Sequence, residues 1–281
     1  MPKIQICVFA YNLEHEIEDS IRSIIRSLGN YQADIYIMVN GCKDNTENKV
    51  KSLAKEIPPV HMVKITLGDK SNAWNTFTHN YCHNDAIAIF VDGDVTLEGN
   101  AINNLINYHL SNVKYNAITG VPWSQSRSSK SNLEKIKKNA DLAGNLYLLS
   151  PFFINKLKSS KIYLPIGLIG DDSMIAYLSA TNLEQNDDKP KERTGYCIDA
   201  VFQYTPLSPL SIKDIKLYLR RRVRYSIRYM QQSSIVPILK AHGLSKMPTN
   251  ANKVDKSTLP PIRWRTSNII FDIIALRVLK Q

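Results

Sequence analysis

Short apolar runs alternate with helix-like patterns through the first hundred residues of the chain. Strand-like runs rich in Ile, Val or Phe occupy residues 4–11, 34–39, 61–67 and 86–91. Apolar residues recur at helical spacing over residues 13–28, 44–57 and 71–81. This alternation predicts an α/β fold with a doubly wound, mostly parallel sheet and helices on both faces.

The second half of the chain is less regular. Its pattern predicts strands at 117–121 and 197–204, a helix followed by a strand within 133–150, and helices at 173–178, 212–232 and 267–279. Polar stretches at 124–132 and 184–193 predict loops, and 242–261 predicts a polar linker. We therefore expect a main domain over residues 1–232, with halves 1–110 and 111–232, and a linker with a C-terminal helix over 233–281.

Polar residues follow each predicted strand of the first half. They are Tyr11-Asn12, the run from Asn40 to Asp44, Gly68-Asp69-Lys70 and Asp92-Gly93-Asp94. The carboxyl ends of strands in an open α/β sheet meet at the same edge, where such sheets bind their ligands. The sequence therefore predicts one cleft lined by these loops.

The Asp92-Gly93-Asp94 loop ends the most apolar predicted strand. Two carboxylates on one loop can converge on a hard divalent cation, and such a cation often carries a substrate diphosphate. The alternative is an ordinary polar turn, because Asp-Gly is a common turn dipeptide.

Several segments, in this order and spacing, resemble family 2 glycosyltransferases with the GT-A fold. They are Val8-Phe9-Ala10-Tyr11-Asn12, Asn40-Gly41-Cys42-Lys43-Asp44-Asn45-Thr46, Lys70-Ser71-Asn72-Ala73-Trp74-Asn75, the DXD motif Asp92-Gly93-Asp94, the acid pair in Gly170-Asp171-Asp172, and Arg221-Arg222-Val223-Arg224-Tyr225. The chain departs from the family pattern at Asn40, where an Asp is usual, at Asp171, where a Glu is usual, and at both ends of the last segment. The resemblance covers residues 3 to 230.

The resemblance implies a nucleotide-sugar donor, a UDP-sugar being favoured, and a divalent cation, Mg²⁺ or Mn²⁺. Asp94 is the expected metal ligand, assisted by Asp92. The expected nucleotide-sugar contacts are Ala10, Tyr11, Asn12, Asn40, Asp44, Lys70, Asn75, Asp92, Gly93, Arg222 and Arg224. For Lys70 and Asp44 the alternatives are turn solvation and helix capping, and for the arginines the alternative is a solvated basic helix face.

The acid pair Asp171 and Asp172 carries the expected catalytic role. An acceptor hydroxyl is a poor nucleophile at neutral pH, so a carboxylate must take its proton. Asp172 is the expected base, and Asp171 orients the acceptor or raises the pKa of its neighbour. The alternative is that both acids cap a helix beginning near Ser173. The resemblance implies inversion at the anomeric carbon, with residues 1–110 binding the nucleotide and 111–232 binding the acceptor.

Composition bears on the binding partners and the cellular compartment of the protein. The 36 basic and 25 acidic residues give a formal net charge of +11, which suits phosphates, nucleic acid or an anionic membrane face. The four cysteines show no paired spacing, which favours buried thiols in a reducing compartment. No run approaches the roughly 20 apolar residues of a membrane span. We expect a cytoplasmic protein, or one bound peripherally at the inner membrane face.

The terminal helix is apolar on nearly every side, so something must cover it. It packs on the main domain or on a second subunit, or it docks on a membrane, which would fit a lipid-linked acceptor. The expected partners are therefore a nucleotide-sugar donor and a glycan, lipid-linked or other hydroxyl acceptor, with no specific nucleic acid. The expected pathway is surface-polysaccharide or glycoconjugate assembly.

Two other functions compete with a hexosyl- or N-acetylhexosaminyl-transferase. A sugar-phosphate nucleotidyltransferase would carry a basic, Gly-rich loop after the first strand, and Tyr11-Asn12-Leu13-Glu14 is unlike one. A nonenzymatic basic module that binds nucleic acid or anionic membrane would fit the charge, but the chain shows no nucleic-acid recognition motif.

Overall fold

A computed structural model describes residues 2–123, 127–139, 141–184, 192–205, 210–264 and 267–280. The strands are β1 (Ile4–Ala10), β2 (Asp34–Asn40), β3 (Val60–Ile65), β4 (Ile87–Asp92), β5 (Val95–Leu97), β6 (Ala117–Pro122), β7 (Leu146–Leu149) and β8 (Thr194–Tyr204). The helices are α1 (Ile17–Ser27), α2 (Thr46–Glu56), α3 (Lys70–Thr76), α4 (Ala101–Ser111), α5 (Arg127–Asn139), α6 (Pro151–Ser159), α7 (Asp171–Thr181), α8 (Ile212–His242) and α9 (Ile269–Lys280). A π-helical turn, Phe77–Tyr81, continues α3.

The described strands form a single eight-stranded sheet in the order β3-β2-β1-β4-β7-β6-β8-β5. The first four of these are parallel neighbours. Strand β7 is antiparallel to both β4 and β6, and β8 runs parallel to β6 and antiparallel to β5. The carboxyl ends of β1, β2, β4 and β6 therefore lie at one edge of the sheet, as the alternating sequence predicts.

Each face of the sheet is covered by its own hydrophobic core. Alternate side chains of β1 enter opposite faces: Ile6 and Val8 join the core under α1, α2 and α4, while Cys7 and Phe9 join the other. The second core includes Trp74 and Phe90. Because β1 is buried on both faces, its sequence is apolar without the polar alternation of a half-exposed strand.

The C-terminal part packs onto this second core and onto α8. The end of α8 contributes buried Ile235 and Leu239, and the following segment contributes Ala251. Helix α9 lies along α8, where Met230, Ala275 and Leu279 form a small core of their own. Among the described residues, no helix is both long and apolar enough to cross a membrane.

Several sequence expectations are wrong in detail. Residues 127–132 belong to α5 rather than to a loop, while 124–126 lie outside the described residues, as do 185–191 of the second expected loop. The expected linker at 242–261 begins with the end of α8 and forms three short 3₁₀ turns packed on the core. Helix α8 continues through residue 232 to His242.

The spacing of Asp44 and Glu47 predicts a capping box at the start of α2, and this prediction is also wrong. The N-cap of α2 is Asn45, without a side-chain cap, and Glu47 pairs with Lys51 and Lys64 instead. Asp44 accepts hydrogen bonds from the backbone and side chain of Thr46. The carboxylate of Asp44 therefore sets the turn before α2 rather than reaching its third residue.

Candidate active site

Lys70 joins two carboxylates at the carboxyl edge of the sheet. Its Nζ lies 2.7 Å from Asp92 Oδ1, at the end of β4, and 3.4 Å from Asp171 Oδ2, at the start of α7. The ammonium also lies 5.0 Å from the ring centroid of Phe9, the β1 residue paired with Asp92. These contacts bring the Lys70 segment, the DXD turn and the acid pair into one cluster.

Asp69 positions Lys70 within this cluster. Its Oδ1 caps α3 by accepting from the Asn72 amide at 2.7 Å, and its Oδ2 accepts from the Gly167 amide at 2.8 Å. The Asp69 amide itself donates to Asn40 Oδ1 at 3.0 Å. One carboxylate thus fixes the start of α3 and ties it to the segment that leads into Asp171.

The DXD turn is held tightly at Asp92 and Gly93. Asp92 exchanges two bonds with Asn145: its amide donates to the Asn145 carbonyl at 3.1 Å, and Asn145 Nδ2 donates to Asp92 Oδ2 at 3.3 Å. A Cβ at Gly93 would lie 2.8 Å from the Phe9 carbonyl oxygen, so the close approach of β1 requires glycine. Asp94 follows in the turn before β5 and is exposed.

These two carboxylates fit a divalent cation only if a ligand completes the site. Asp92 already has Lys70 on one oxygen and Asn145 on the other, whereas Asp94 faces solvent. The described residues contain no group of three or more His, Cys, Asp or Glu side chains arranged for a metal ion. Mg²⁺ is commonly held by one or two carboxylates together with substrate phosphates, and this turn offers the carboxylates of such a set.

The acid pair opens helix α7 directly after a glycine in the left-handed conformation. Gly170 precedes it with φ +86°, and a Cβ there would lie 2.5 Å from Arg228 Nε. Arg228 of α8 lies over this turn: its Nη1 is 3.4 Å from Asp172 Oδ1, and its Nη2 donates to Ser173 Oγ. Helix α8 therefore supplies the cation that faces the expected base.

Burial and neighbouring charges set the protonation of these groups. Burial raises the pKa of Asp92 to about 7, with Lys70 opposing the rise and Asp94 adding to it. Burial also raises the pKa of Asp172, against the influence of Arg228. Burial alone would lower the pKa of Lys70, but Asp171 and Asp92 hold it above its usual value. The lysine is therefore a fixed cation, and Asp92 and Asp172 lose their protons at higher pH than an ordinary carboxyl does.

The loops after β1 and β2 are joined by hydrogen bonds between side chains and backbone groups. Cys42 Sγ donates to the Ala10 carbonyl at 3.3 Å and accepts from the Asn12 amide at 3.4 Å. Asn12, with φ 54°, accepts from the Lys43 amide at 2.8 Å, and Asp44 Oδ2 accepts from the Glu14 amide at 3.0 Å. These bonds make the two loops one wall of the cleft.

Tyr11 and Asn40 are also expected to contact the donor, and they differ in exposure. Tyr11 is 43% exposed, so its ring is available to a ligand. Asn40 is buried and accepts from Asp69, so its Oδ1 positions the next loop.

Asn75 and Arg222, two residues expected to contact the nucleotide sugar, have hydrogen-bond partners within the protein. The side chain of Asn75 binds the backbone of Leu164. Its Nδ2 donates to the Leu164 carbonyl and its Oδ1 accepts from the Leu164 N–H, each at 2.8 Å. Arg222 donates to Ser267 and to Asn268 Oδ1, at 2.8 Å for the latter, and lies 5.0 Å from the ring centroid of Phe271. The structure therefore assigns Arg222 to the start of α9 and Asn75 to the anchoring of residues 164–168. Arg224 lies exposed on α8.

Sequence reasoning missed Arg228, Asp69 and Asn145. A signal for Arg228 exists, because the Arg-Tyr pair at 224–225 recurs one helical turn later at 228–229. Asp69 sits where an N-cap is expected before α3. Nothing in the local sequence around Asn145 marks it, since its partner comes from another strand.

Comparison with known proteins identifies the family of this chain. A model described as glycosyl transferase family 2 matches residues 5–163, more than half of the chain. The chain belongs to glycosyl transferase family 2. A comparison of this glycosyltransferase with curated proteins finds no match.

Solved structures extend the likeness beyond the matched segment. The mannosyltransferase PcManGT from Pyrobaculum calidifontis, in complex with GDP-Man and Mn²⁺, gives a TM-score of 0.64 at 16% identity, covering 99% of this chain and 75% of that chain. S. aureus TarS 1-349 gives a TM-score of 0.52 at 11% identity and covers 89% of each chain. These likenesses show that the glycosyltransferase has the expected GT-A fold, with a helical C-terminal part.

Proposed function

We propose that this glycosyltransferase is an inverting, metal-dependent enzyme that moves a hexosyl or N-acetylhexosaminyl group from a nucleotide-sugar donor to an acceptor hydroxyl. The observation that carries the proposal is the Lys70 cluster, because one cation joins the DXD turn to the acid pair. Leaving-group chemistry and proton removal then occur side by side. A role in surface-polysaccharide or glycoconjugate assembly belongs to the same proposal.

The donor diphosphate is proposed to lie against Asp94 and the wall formed by Tyr11, Asn12 and Asp44. Asp94, with help from Asp92, would hold a divalent cation, which would supply charge stabilisation for the departing nucleoside diphosphate. Mn²⁺ and GDP-Man accompany the similar PcManGT structure, which supports a metal and makes GDP-sugars the comparison for the UDP-sugars that the sequence favours.

Asp172 is proposed to take the proton of the acceptor hydroxyl. Burial raises the pKa of this carboxyl, which brings a base closer to the pH at which it must work. Arg228 holds the carboxylate from the α8 side and keeps its orientation fixed. Asp171 is bound to Lys70 and is proposed to orient the acceptor. A single base and direct displacement of the diphosphate give inversion at the anomeric carbon.

Thermal-shift measurements with UDP, GDP and their sugars, with and without Mn²⁺, test the donor site. We expect a metal-dependent rise in melting temperature with one nucleotide, and its loss in Asp94→Ala. Asp85→Asn, an exposed acid before β4, is the matched control and should respond like the wild type. Salt-sensitive RNA binding without any nucleotide effect would favour the basic-module alternative.

Product analysis tests the reaction type. Release of a nucleoside diphosphate from the nucleotide sugar supports transfer, whereas pyrophosphate release from a nucleoside triphosphate and a sugar phosphate would identify a nucleotidyltransferase. Asp172→Asn should keep the nucleotide-induced shift and lose about 10²–10⁴-fold in transfer rate. Normal turnover by this variant would show that Asp172 is not the base.

A further inference from the structure

The first turns of α8 expose an apolar row. Ile212, Ile215 and Leu219 are 73%, 44% and 47% exposed and recur at three- and four-residue spacing, so they share one face of the helix. We call residues 212–225 the α8 arm. Exposed apolar side chains are ordinary when scattered singly, but a row on one helix face indicates a surface that something covers.

The exposed row continues the face that α9 covers further along. Arg222 contacts Ser267 and Asn268 before α9, and Met230 packs against Ala275 within it. Residues 215, 219, 222, 226 and 230 follow one another at the same spacing, so they lie on one stripe of α8. Helix α9 begins beside Arg222 and leaves the preceding part of the stripe uncovered.

A row of cations flanks the apolar row. Lys216, Arg220 and Arg224 are exposed and four residues apart. Lys216 and Arg220 each follow a stripe position by one residue, which places them about 100° around the helix. Asp214 is the single acid in the sequence of the arm. Tyr218 and Tyr225 are 50% and 58% exposed on the same segment. Apolar, aromatic and basic side chains together are the composition of helices that lie in a membrane interface.

We propose that the α8 arm docks on an anionic lipid bilayer. Its apolar row enters the headgroup boundary, while Lys216 and Arg220 meet lipid phosphates. A two-fold pairing of two arms is disfavoured, because an isologous contact would bring these cationic rows close to their own copies. Lipid headgroups offer the opposite charge that the arm needs.

The arm adjoins the active site along one continuous helix. Leu219 and Arg228 are nine residues apart, which corresponds to about 14 Å of helix, and Arg228 contacts Asp172. The nine-residue separation also places the two side chains on opposite sides of α8, so the apolar row faces away from Asp172. Membrane binding by the arm does not require the proposed reaction, so each proposal can fail without the other.

Vesicle flotation of the full chain tests the proposal. We expect binding to vesicles of phosphatidylcholine mixed with phosphatidylglycerol, weakening with salt, and at least about tenfold weaker binding to phosphatidylcholine alone. The triple variant Ile212→Ser, Ile215→Ser, Leu219→Ser should lose at least about tenfold in affinity for the mixed vesicles. The matched control, Leu110→Ser with Val113→Ser, removes two exposed apolar side chains near the end of α4 and should bind like the wild type.

A charge variant guards against misfolding of the triple variant. Lys216→Glu with Arg220→Glu keeps the apolar row and should lose binding to the mixed vesicles to a similar degree. Absence of wild-type binding, or unchanged binding of both arm variants, would overturn the proposal. So would a wild-type dimer in solution that binds no vesicles and that the triple variant converts to monomer, because the arm would then bind a second copy.

Discussion

Lys70 binds carboxylates that belong to distant parts of the chain. The ion pairs with Asp92 and Asp171 are partly buried, and removing one partner from such a pair is costly because the remaining charge stays desolvated. The motif around Lys70 is recognisable in sequence because the lysine, its cap and its helix are neighbours in the chain. Its two partners follow only from the fold.

Asp92 gives the apo protein a specific pH dependence. Its folded-state pKa of about 7 lies above the ordinary value, so the folded state binds this proton more tightly and loses stability as pH rises from about 4 to 7. Asp92→Asn lacks this titration. In metal-free buffer, its melting temperature minus that of the wild type should therefore increase between pH 5 and pH 8. A difference that is constant or falls would contradict the raised pKa.

Substitutions of two arginines on α8 should have different effects, one on the reaction rate and the other on stability. Arg228→Ala removes the cation beside Asp172, so we expect about a tenfold or greater loss in kcat. Arg222→Ala removes contacts with Ser267, Asn268 and Phe271, so it should lower the melting temperature while leaving kcat near the wild-type value. Initial rates and thermal melts on both variants provide the comparison. The reverse pattern would indicate that Arg222 binds the nucleotide sugar.

Those arginines show where sequence reasoning stops at the scale of single residues. Residues 220–224 offer four arginines within five positions, and helical spacing alone does not say which face meets the cleft. Asn75 lies within a matched motif, yet its amide serves the backbone of Leu164. A motif places a residue near the site, but its partner comes from a segment that the motif does not contain.

The sequence predicts elements with a clear hydrophobic pattern well. It does not predict elements whose structure depends on tertiary contacts. Strands β1, β2 and β4 are largely buried apolar runs, so their sequence signal is local. The sequence predicts a loop over part of helix α5, because Ser, Lys and Asn favour polar turns when no packing partner is known. Strand β5 has three residues and depends on pairing with β8, which no local pattern reveals.

Helix α9 depends on a buried ion pair. Asp272 is fully buried and accepts from Arg263 Nη2 at 2.6 Å, while Arg263 also lies 4.2 Å from the ring centroid of Tyr229 on α8. Asp272→Asn should reduce the free energy of unfolding by about 2 kcal/mol, since it replaces a charge-assisted bond. Urea unfolding at pH 7 measures this loss, with Asp255→Asn, an exposed N-cap of a 3₁₀ turn, as the comparison.

The same pair predicts how α9 responds to acid. Burial would raise the pKa of Asp272, but the bonds from Arg263 and Ser226 hold it below its usual value. Its stabilising contribution is therefore present above about pH 4 and is lost as pH falls through the folded-state pKa. The difference in unfolding free energy between wild type and Asp272→Asn should shrink toward acid pH. A difference that grows there would contradict the lowered pKa.

At the scale of the whole molecule, the candidate active site is assembled from segments that span most of the chain. Strand ends of the first half supply Asp92 and the loop wall, α7 supplies the acid pair, and α8 supplies Arg228. Alternation of strands and helices was enough to predict the shared edge, because parallel strands place their carboxyl ends together. The reach of α8 back to that edge follows from tertiary packing that its arginine-rich sequence does not show.

This assembly makes the extent of the folding unit testable. Ile235, Leu239 and Ala251 are buried in the same core as Trp74 and Phe90, so a chain ending at residue 232 would leave that core open. We expect it to lose cooperative unfolding and to bind a hydrophobic dye. A chain ending at 262 keeps these residues and lacks α9, so it should unfold cooperatively at a lower temperature than the full chain. Calorimetry on the three lengths decides the matter: cooperative unfolding of the 232-residue chain would place the boundary inside α8, where the sequence alone put it.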